Sequence, residues 1–139
     1  MGIPTRGIDL SIVLEKELLL KTGCKIRKGI IDPTFYRDDQ NRVETRPIKA
    51  TDIPTPIEKQ EILLIDDVIY TGRTIRAAMD ALYSWGRPQR VMLLVMVDRG
   101  HRELPIQPDF CGKKVPTRKN ESISLRLNNV DKEEGVFLE

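Results

Sequence analysis

Histidine is nearly absent from this chain of 139 residues. His101 is the only one, which excludes a His-rich zinc site and chemistry built on repeated imidazole bases. Cysteine is scarce too: Cys24 and Cys111 have no near partner and no metal-type spacing, as expected of reduced thiols in a cytoplasmic protein. No long apolar run exists. The longest, Val91 to Val97, falls far short of the ~20 residues that a membrane span needs, and the first residues carry no signal-peptide pattern. A large excess of one charge is missing as well, since 23 basic residues face 21 acidic ones. A net charge of +2 excludes a nucleic-acid clamp built on overall charge, though not a local basic face. There is no internal repeat, no low-complexity tract, and no Gly-x-x-x-x-Gly-Lys-Ser/Thr phosphate loop.

What is present fits one α/β domain covering 1–139, with 40% apolar residues to build a core and 32% charged residues to keep it soluble. Leu10, Val13, Leu14 and Leu18 recur at helical spacing between Gly7 and Gly23. Ile26 to Phe35 can supply a strand. The stretch 36–60 carries Pro47, Pro54 and Pro56 and a charged run from Arg37 to Arg42, and reads as a long solvated loop or short edge hairpin acting as a lid. Ile62-Leu63-Leu64-Ile65 reads as a buried strand, Ile75, Ala78, Met79 and Leu82 as a helix stripe, and Val91 to Val97 as a second buried strand. Such a strand–helix–strand unit predicts a parallel sheet. Ser122 to Leu127 alternates as a strand nearer an edge, and Tyr83 and Trp85 read as packing residues.

Chemistry concentrates where the first buried strand ends, in Asp66-Asp67-Val68-Ile69-Tyr70-Thr71-Gly72-Arg73-Thr74. Ligands of open α/β sheets bind beyond the carboxyl ends of the strands. Asp66 and Asp67 offer acceptors for two ribose hydroxyls and help hold Mg²⁺ through water. Thr71, Gly72 and Thr74 offer hydroxyls, bare backbone and a helix N-terminus suited to a phosphate monoester. A phosphoacceptor receiver domain also has an acid pair after a strand but needs no Thr-Gly-Arg-Thr behind it. An acidic strand end with a simple helix cap is the blander alternative.

The segment Ile62 to Thr74 closely resembles the phosphoribosyl pyrophosphate (PRPP) motif of type I phosphoribosyltransferases. Ile3-Pro4-Thr5-Arg6-Gly7, Tyr36-Arg37-Asp38-Asp39, Thr51-Asp52-Ile53-Pro54, Val97 to Pro105, Gly112-Lys113 and Val115-Pro116-Thr117 extend the likeness to the PyrR family of pyrimidine operon attenuation regulators, which also have uracil phosphoribosyltransferase activity.

The resemblance implies the type I phosphoribosyltransferase fold, a mostly parallel sheet flanked by helices, and a homo-oligomer. It also implies a Mg²⁺-dependent reaction of PRPP with uracil giving UMP and pyrophosphate, and a pyrimidine operon leader RNA as partner. In that frame Asp66, Asp67, Val68, Ile69, Tyr70, Thr71, Gly72, Arg73 and Thr74 bind ribose 5-phosphate. Thr5 and Arg6 form the pyrophosphate loop, Lys49 contacts the substrate, and Arg99 with the Val115 backbone lines the uracil end. Arg6, Asp66 and Asp67 are the catalytic candidates, with no direct protein ligand set for the metal. The segment Arg37 to Arg46 is the implied lid.

The likeness also places a helix and a central strand ahead of the pyrophosphate loop, so the chain is expected to be N-terminally incomplete, with Met1 at that strand's last position. For RNA, Arg102 and Lys113 are the candidates. From Arg99 to Lys119 six basic residues face two acids, a local +4, while Gln107 stands where the family has a basic residue, and no interleaved aromatics offer base stacking.

Overall fold

The computed structural model describes residues 1–39 and 49–139. Its centre is a parallel sheet in the order β1-β2-β3, formed by β1 (Glu61–Ile69), β2 (Arg90–Asp98) and β3 (Phe110–Lys114). Two helices bear on β1: α1 (Arg6–Thr22) by direct packing, and α2 (Arg73–Tyr83) as the crossover between β1 and β2. The chain closes with an antiparallel hairpin of β4 (Ile123–Arg126) and β5 (Gly135–Leu138), separated by the short α3 (Asn128–Asp131).

Side-chain alternation along β1 splits the core into two layers. Ile62 and Leu64 pack with Ile75, Ala78 and Leu82 of α2 and with Leu93 and Val95 of β2. Leu63 and Ile65 face the other way, toward Leu10 and Leu14 of α1 and toward Leu125 and Leu127 of the hairpin region. The same alternation sends the carboxylates of Asp66 and Asp67 to opposite faces. β1 runs on to Ile69, so the acid pair lies within the strand's last turn of pairing, beside Val95 and Val97, and not after it.

Residues 1–3 extend the sheet beyond β1. Gly2 bridges Ile65 on one side and Ile30 on the other, and Ile30 in turn bridges Asp52. Ile65 N–H donates to Met1 O at 2.9 Å, and Ile3 N–H to Ile65 O at 2.9 Å. The position flanking β1, expected to belong to a central strand, is thus held by these few residues.

This explains one departure from expectation. Ile26–Phe35 was expected as a strand, yet it contributes a single bridge at Ile30 and a 3₁₀ turn at Thr34–Tyr36. Its neighbours present one pairing residue each, so no ladder propagates, and residues 24–28 lie exposed. Ser122–Leu127 does supply a strand, but in the separate hairpin. Tyr83 and Trp85, expected as packing residues, are 53% and 55% exposed. α2 ends at Tyr83, and its buried stripe of Ile75, Ala78 and Leu82 turns both aromatics toward solvent.

α1 approaches β1 closely because Gly7 lacks a side chain: a Cβ there would stand 2.2 Å from Ile65 O. That contact fixes the loop Pro4–Thr5, whose peptide bond is cis, against the carboxyl half of β1.

Candidate ribose-phosphate site

β1 ends at Ile69, and the chain turns through Tyr70 and Thr71 into α2. The turn is possible because Gly72, the residue before the helix, sits at φ 91°, a left-handed conformation that costs an L side chain strain. Thr71 Oγ1 accepts from Arg73 N–H at 3.3 Å, which folds the loop back on the helix start. First-turn N–H groups have no acceptor inside their own helix and carry the positive end of its dipole. Here the residues bearing them line a cavity of about 380 Å³, together with Asp66, Val68, Ile69, Tyr70 and Thr71.

Asp66 is buried, and its Oδ1 accepts from Asp67 N–H at 3.0 Å. Asp67 Oδ1 accepts from Val68 N–H at 2.9 Å, and Asp67 is not among the cavity-lining residues. The expected cluster therefore converges from Asp66 and from Val68 to Thr74, with Asp67 one residue off on the opposite face of the strand.

Three further residues line the cavity: Arg37, Asp39 and Glu103. Arg37 Nη1 donates to Thr74 Oγ1 at 3.0 Å, while its Nε and Nη2 grip both oxygens of Asp39 at 2.7 and 2.6 Å. This pairing holds the Asp39 carboxyl below the usual range and raises the Arg37 guanidinium. Arg73 spans Glu103 and Asp38, each at 2.8 Å, and so straps two distant loops to the start of α2. The charged run at Arg37–Asp39 was visible in the sequence as part of a lid. Its docking on Thr74 was not, because nothing local encodes a contact across 37 residues. The rest of the expected lid, 40–46, lies outside the described residues. Lys49 is exposed, and its N–H donates to Asp32 Oδ2 at 2.8 Å.

The structure does not bring Arg6 into this cavity. It opens α1 and pairs with Asp9 at 3.2 Å and with Asp131. Thr5 precedes the helix without capping it through its side chain.

At the same carboxyl end of the strands, Arg99 is buried and stacks 4.1 Å above the Tyr70 ring. Its guanidinium donates to Thr117 Oγ1 at 3.0 Å and to the carbonyls of Arg118 and Glu121, so it holds the loop 117–121 against the PRPP-motif loop. Val115 N–H donates to Asp98 O at 2.9 Å, prolonging the β2–β3 pairing into that loop.

Arg102, expected on an RNA-facing surface, is instead an internal strut. Its guanidinium donates to Ile106 O, Tyr70 O and Asp98 Oδ2 at 2.8, 3.0 and 2.7 Å. Burial works to raise the Asp98 carboxyl, but Arg102 and the Gly100 N–H outweigh it and hold the group below its usual value. The exposed cations of the stretch are Lys113, Lys114, Arg118 and Lys119. Cys24 and Cys111 are free thiols. No helix is long and apolar enough to cross a membrane among the described residues.

Known proteins resemble this chain in sequence and fold. The phosphoribosyl transferase domain matches residues 1–127. The bifunctional protein PyrR of Microcystis aeruginosa is 49% identical over 138 residues, covering 99% of this chain and 78% of that protein. The PyrR proteins of Thermus aquaticus and Halalkalibacterium halodurans are 48% and 46% identical, covering 99% and 100% of this chain and 77% and 79% of theirs. Among solved structures, the hypoxanthine phosphoribosyltransferase of Trypanosoma cruzi superposes with a TM-score of 0.68 over 99% of this chain and 73% of its own. At 16% identity that likeness establishes the fold alone.

Proposed function

The chain belongs to the phosphoribosyltransferase family, and within it to the PyrR proteins, and on that premise we propose that it transfers the phosphoribosyl group of PRPP to uracil, giving UMP and pyrophosphate. The convergence of Asp66 and the Thr71–Thr74 helix start on one cavity carries this reading. The 5-phosphate sits on the first-turn N–H groups and the hydroxyls of Thr71 and Thr74. Asp66, with Asp67 behind it, accepts from the ribose hydroxyls. Uracil lies toward the Val115 backbone, on the loop that Arg99 steadies. The N1–C1 bond then forms as the bond from C1 to pyrophosphate breaks, and N1 gives up its proton. The transition state is a spread-out cation at C1, so the protein needs no strong nucleophile. Its task is to hold both reactants in line and to neutralise the leaving group. Arg6 takes that second part by exchanging Asp131 for a pyrophosphate oxygen, with Lys49, just ahead of the Thr51-Asp52-Ile53-Pro54 run, as a further substrate contact.

Mg²⁺ fits the donors present. Asp66 and Asp67 are hard oxygen ligands suited to hold it through water and substrate. Among the described residues no three or more His, Cys, Asp or Glu gather into a direct metal cage. When bound, the ion offsets negative charge on pyrophosphate.

Incubation with labelled uracil, PRPP and Mg²⁺ should yield UMP, and labelled hypoxanthine in place of uracil should yield no IMP. No UMP under any of these conditions would leave a phosphoribosyltransferase fold without this activity.

A second activity, binding of a pyrimidine-operon leader RNA, is favoured by the exposed Lys113, Lys114, Arg118 and Lys119. Because Arg102 is tied to Asp98, Lys113 and Lys114 are the residues whose replacement tests this. Each phosphate contact on single-stranded RNA contributes a slope of about −0.7 to log K against log salt. Replacing both lysines with Ala should flatten that slope by up to about 1.4 and leave UMP formation nearly intact. Filter binding to a leader and to a scrambled RNA measures it, and an unchanged slope would place any RNA elsewhere on the chain. The alternatives, a regulator with little or no catalysis or an inactive chain, both predict little or no turnover in the uracil assay, and only the first predicts preference for the leader RNA.

A further inference from the structure

The cavity has a charge problem. Its ionisable lining comprises the carboxylates of Asp39, Asp66 and Glu103 against the guanidiniums of Arg37 and Arg73. A phosphate monoester entering it brings a further charge of about −1.5 to −2 near neutral pH. The helix start offsets part of this, on the order of half a unit charge. Arg73 is committed to Asp38 and Glu103. Arg37 is the remaining lining cation, and it stands at the phosphate end: its Nη1 is 3.0 Å from Thr74 Oγ1, the hydroxyl at the helix start. Its other two donors are held by both oxygens of Asp39 in the parallel two-bond geometry that a guanidinium also makes with phosphate.

We propose that Arg37 is a phosphate ligand of this site and that Asp39 occupies its place in the empty protein: the 5-phosphate displaces the Asp39 carboxylate from the guanidinium, and Arg37 closes over the nucleotide at Thr74. This rests on the reading of the cavity as a ribose 5-phosphate site and adds a residue from outside the PRPP motif. Asp39 is then a positioning residue that acts through Arg37. It keeps the guanidinium aimed at Thr74 and competes with the incoming anion. The exchange is favourable because a dianion with three acceptor oxygens replaces a monoanion with two. Recognition of the phosphate is thereby coupled to the segment 36–39, which Arg76 also holds through Tyr36 O at 2.7 Å.

Calorimetric titration with UMP and with uridine, which lacks the phosphate, tests this in the full chain. Arg37→Ala should weaken UMP roughly ten- to hundredfold, the loss of a charge-assisted pair of hydrogen bonds, and leave uridine unchanged. Arg37→Lys, which keeps the charge but not the fork, should fall between. Asp39→Asn should tighten UMP about three- to tenfold by removing the competitor. The double variant Arg37→Ala with Asp39→Asn should bind as Arg37→Ala alone, because Asp39 acts only through Arg37. Equal losses for UMP and uridine would reduce Arg37 to a structural role and overturn the proposal. So would full UMP affinity in Arg37→Ala, or an Asp39→Asn effect that survives in the double variant. Failure of the wild-type chain to bind UMP at all would overturn the site reading itself, and this proposal with it.

Discussion

Replacing Asp66 and Asp67 together with Asn is expected to abolish PRPP binding. Asp66 is assigned charge-assisted hydrogen bonds to the two ribose hydroxyls, about 1.5–3 kcal/mol apiece, and Asp67 behind it adds charge that helps hold the hydrated Mg²⁺. Losing both removes a hundredfold or more of affinity. The substitutions keep side-chain volume and the local acceptor that Asp66 offers to Asp67 N–H, so the strand end stays formed. They remove only the charge that attracts the hydroxyls and the hydrated ion. Titration with PRPP and Mg²⁺ measures the effect. Single variants apportion it, with Asp66→Asn expected to carry the larger share because Asp66 lines the cavity and Asp67 faces the opposite side of β1. Undiminished affinity in the double variant would sink the assignment of the ribose site.

Arg6→Ala should slow UMP formation far more than it weakens UMP binding. Arg6 is assigned to the pyrophosphate, a group that UMP lacks, and its interaction strengthens as charge develops on the leaving oxygens. Removing one such donor typically costs about 10²–10³ in turnover. In the empty protein the guanidinium is held by Asp9 and Asp131, so it must change partners when pyrophosphate arrives. Turnover and UMP affinity, measured side by side in wild type and variant, separate the roles. An equal loss in both would put Arg6 on the nucleotide side of the reaction.

The parts that could be read from the sequence are those whose determinants are local. Ile62–Ile65 and Val91–Val97 are continuous apolar runs, so their burial on both faces follows from composition alone, and they are β1 and β2. Gly23, at φ 71°, marks the end of α1 as a left-handed cap. The PRPP motif is contiguous, and its strand–loop–helix path brings Asp66 and Thr71–Thr74 together without help from elsewhere.

What could not be read depends on distant partners. Ile26–Phe35 has strand composition but, among the described residues, bridges only to Gly2 and Asp52, so its pairing stops at Ile30. Arg102 has the look of a surface cation among other cations, yet Asp98 and two carbonyls draw it inside. Arg37 sits in a charged run that resembles any solvated loop until Thr74 is placed beside it. In each case the side chain's role is decided by what the fold sets opposite it, and a one-dimensional pattern carries no record of that.

The most direct test of the central claim is a crystal structure of the chain with UMP. The account predicts the phosphate on the N–H groups between Thr71 and Ile75, with the ribose hydroxyls on Asp66 and the uracil ring toward Val115. A nucleotide bound elsewhere, or seated with its phosphate away from the start of α2, would contradict it.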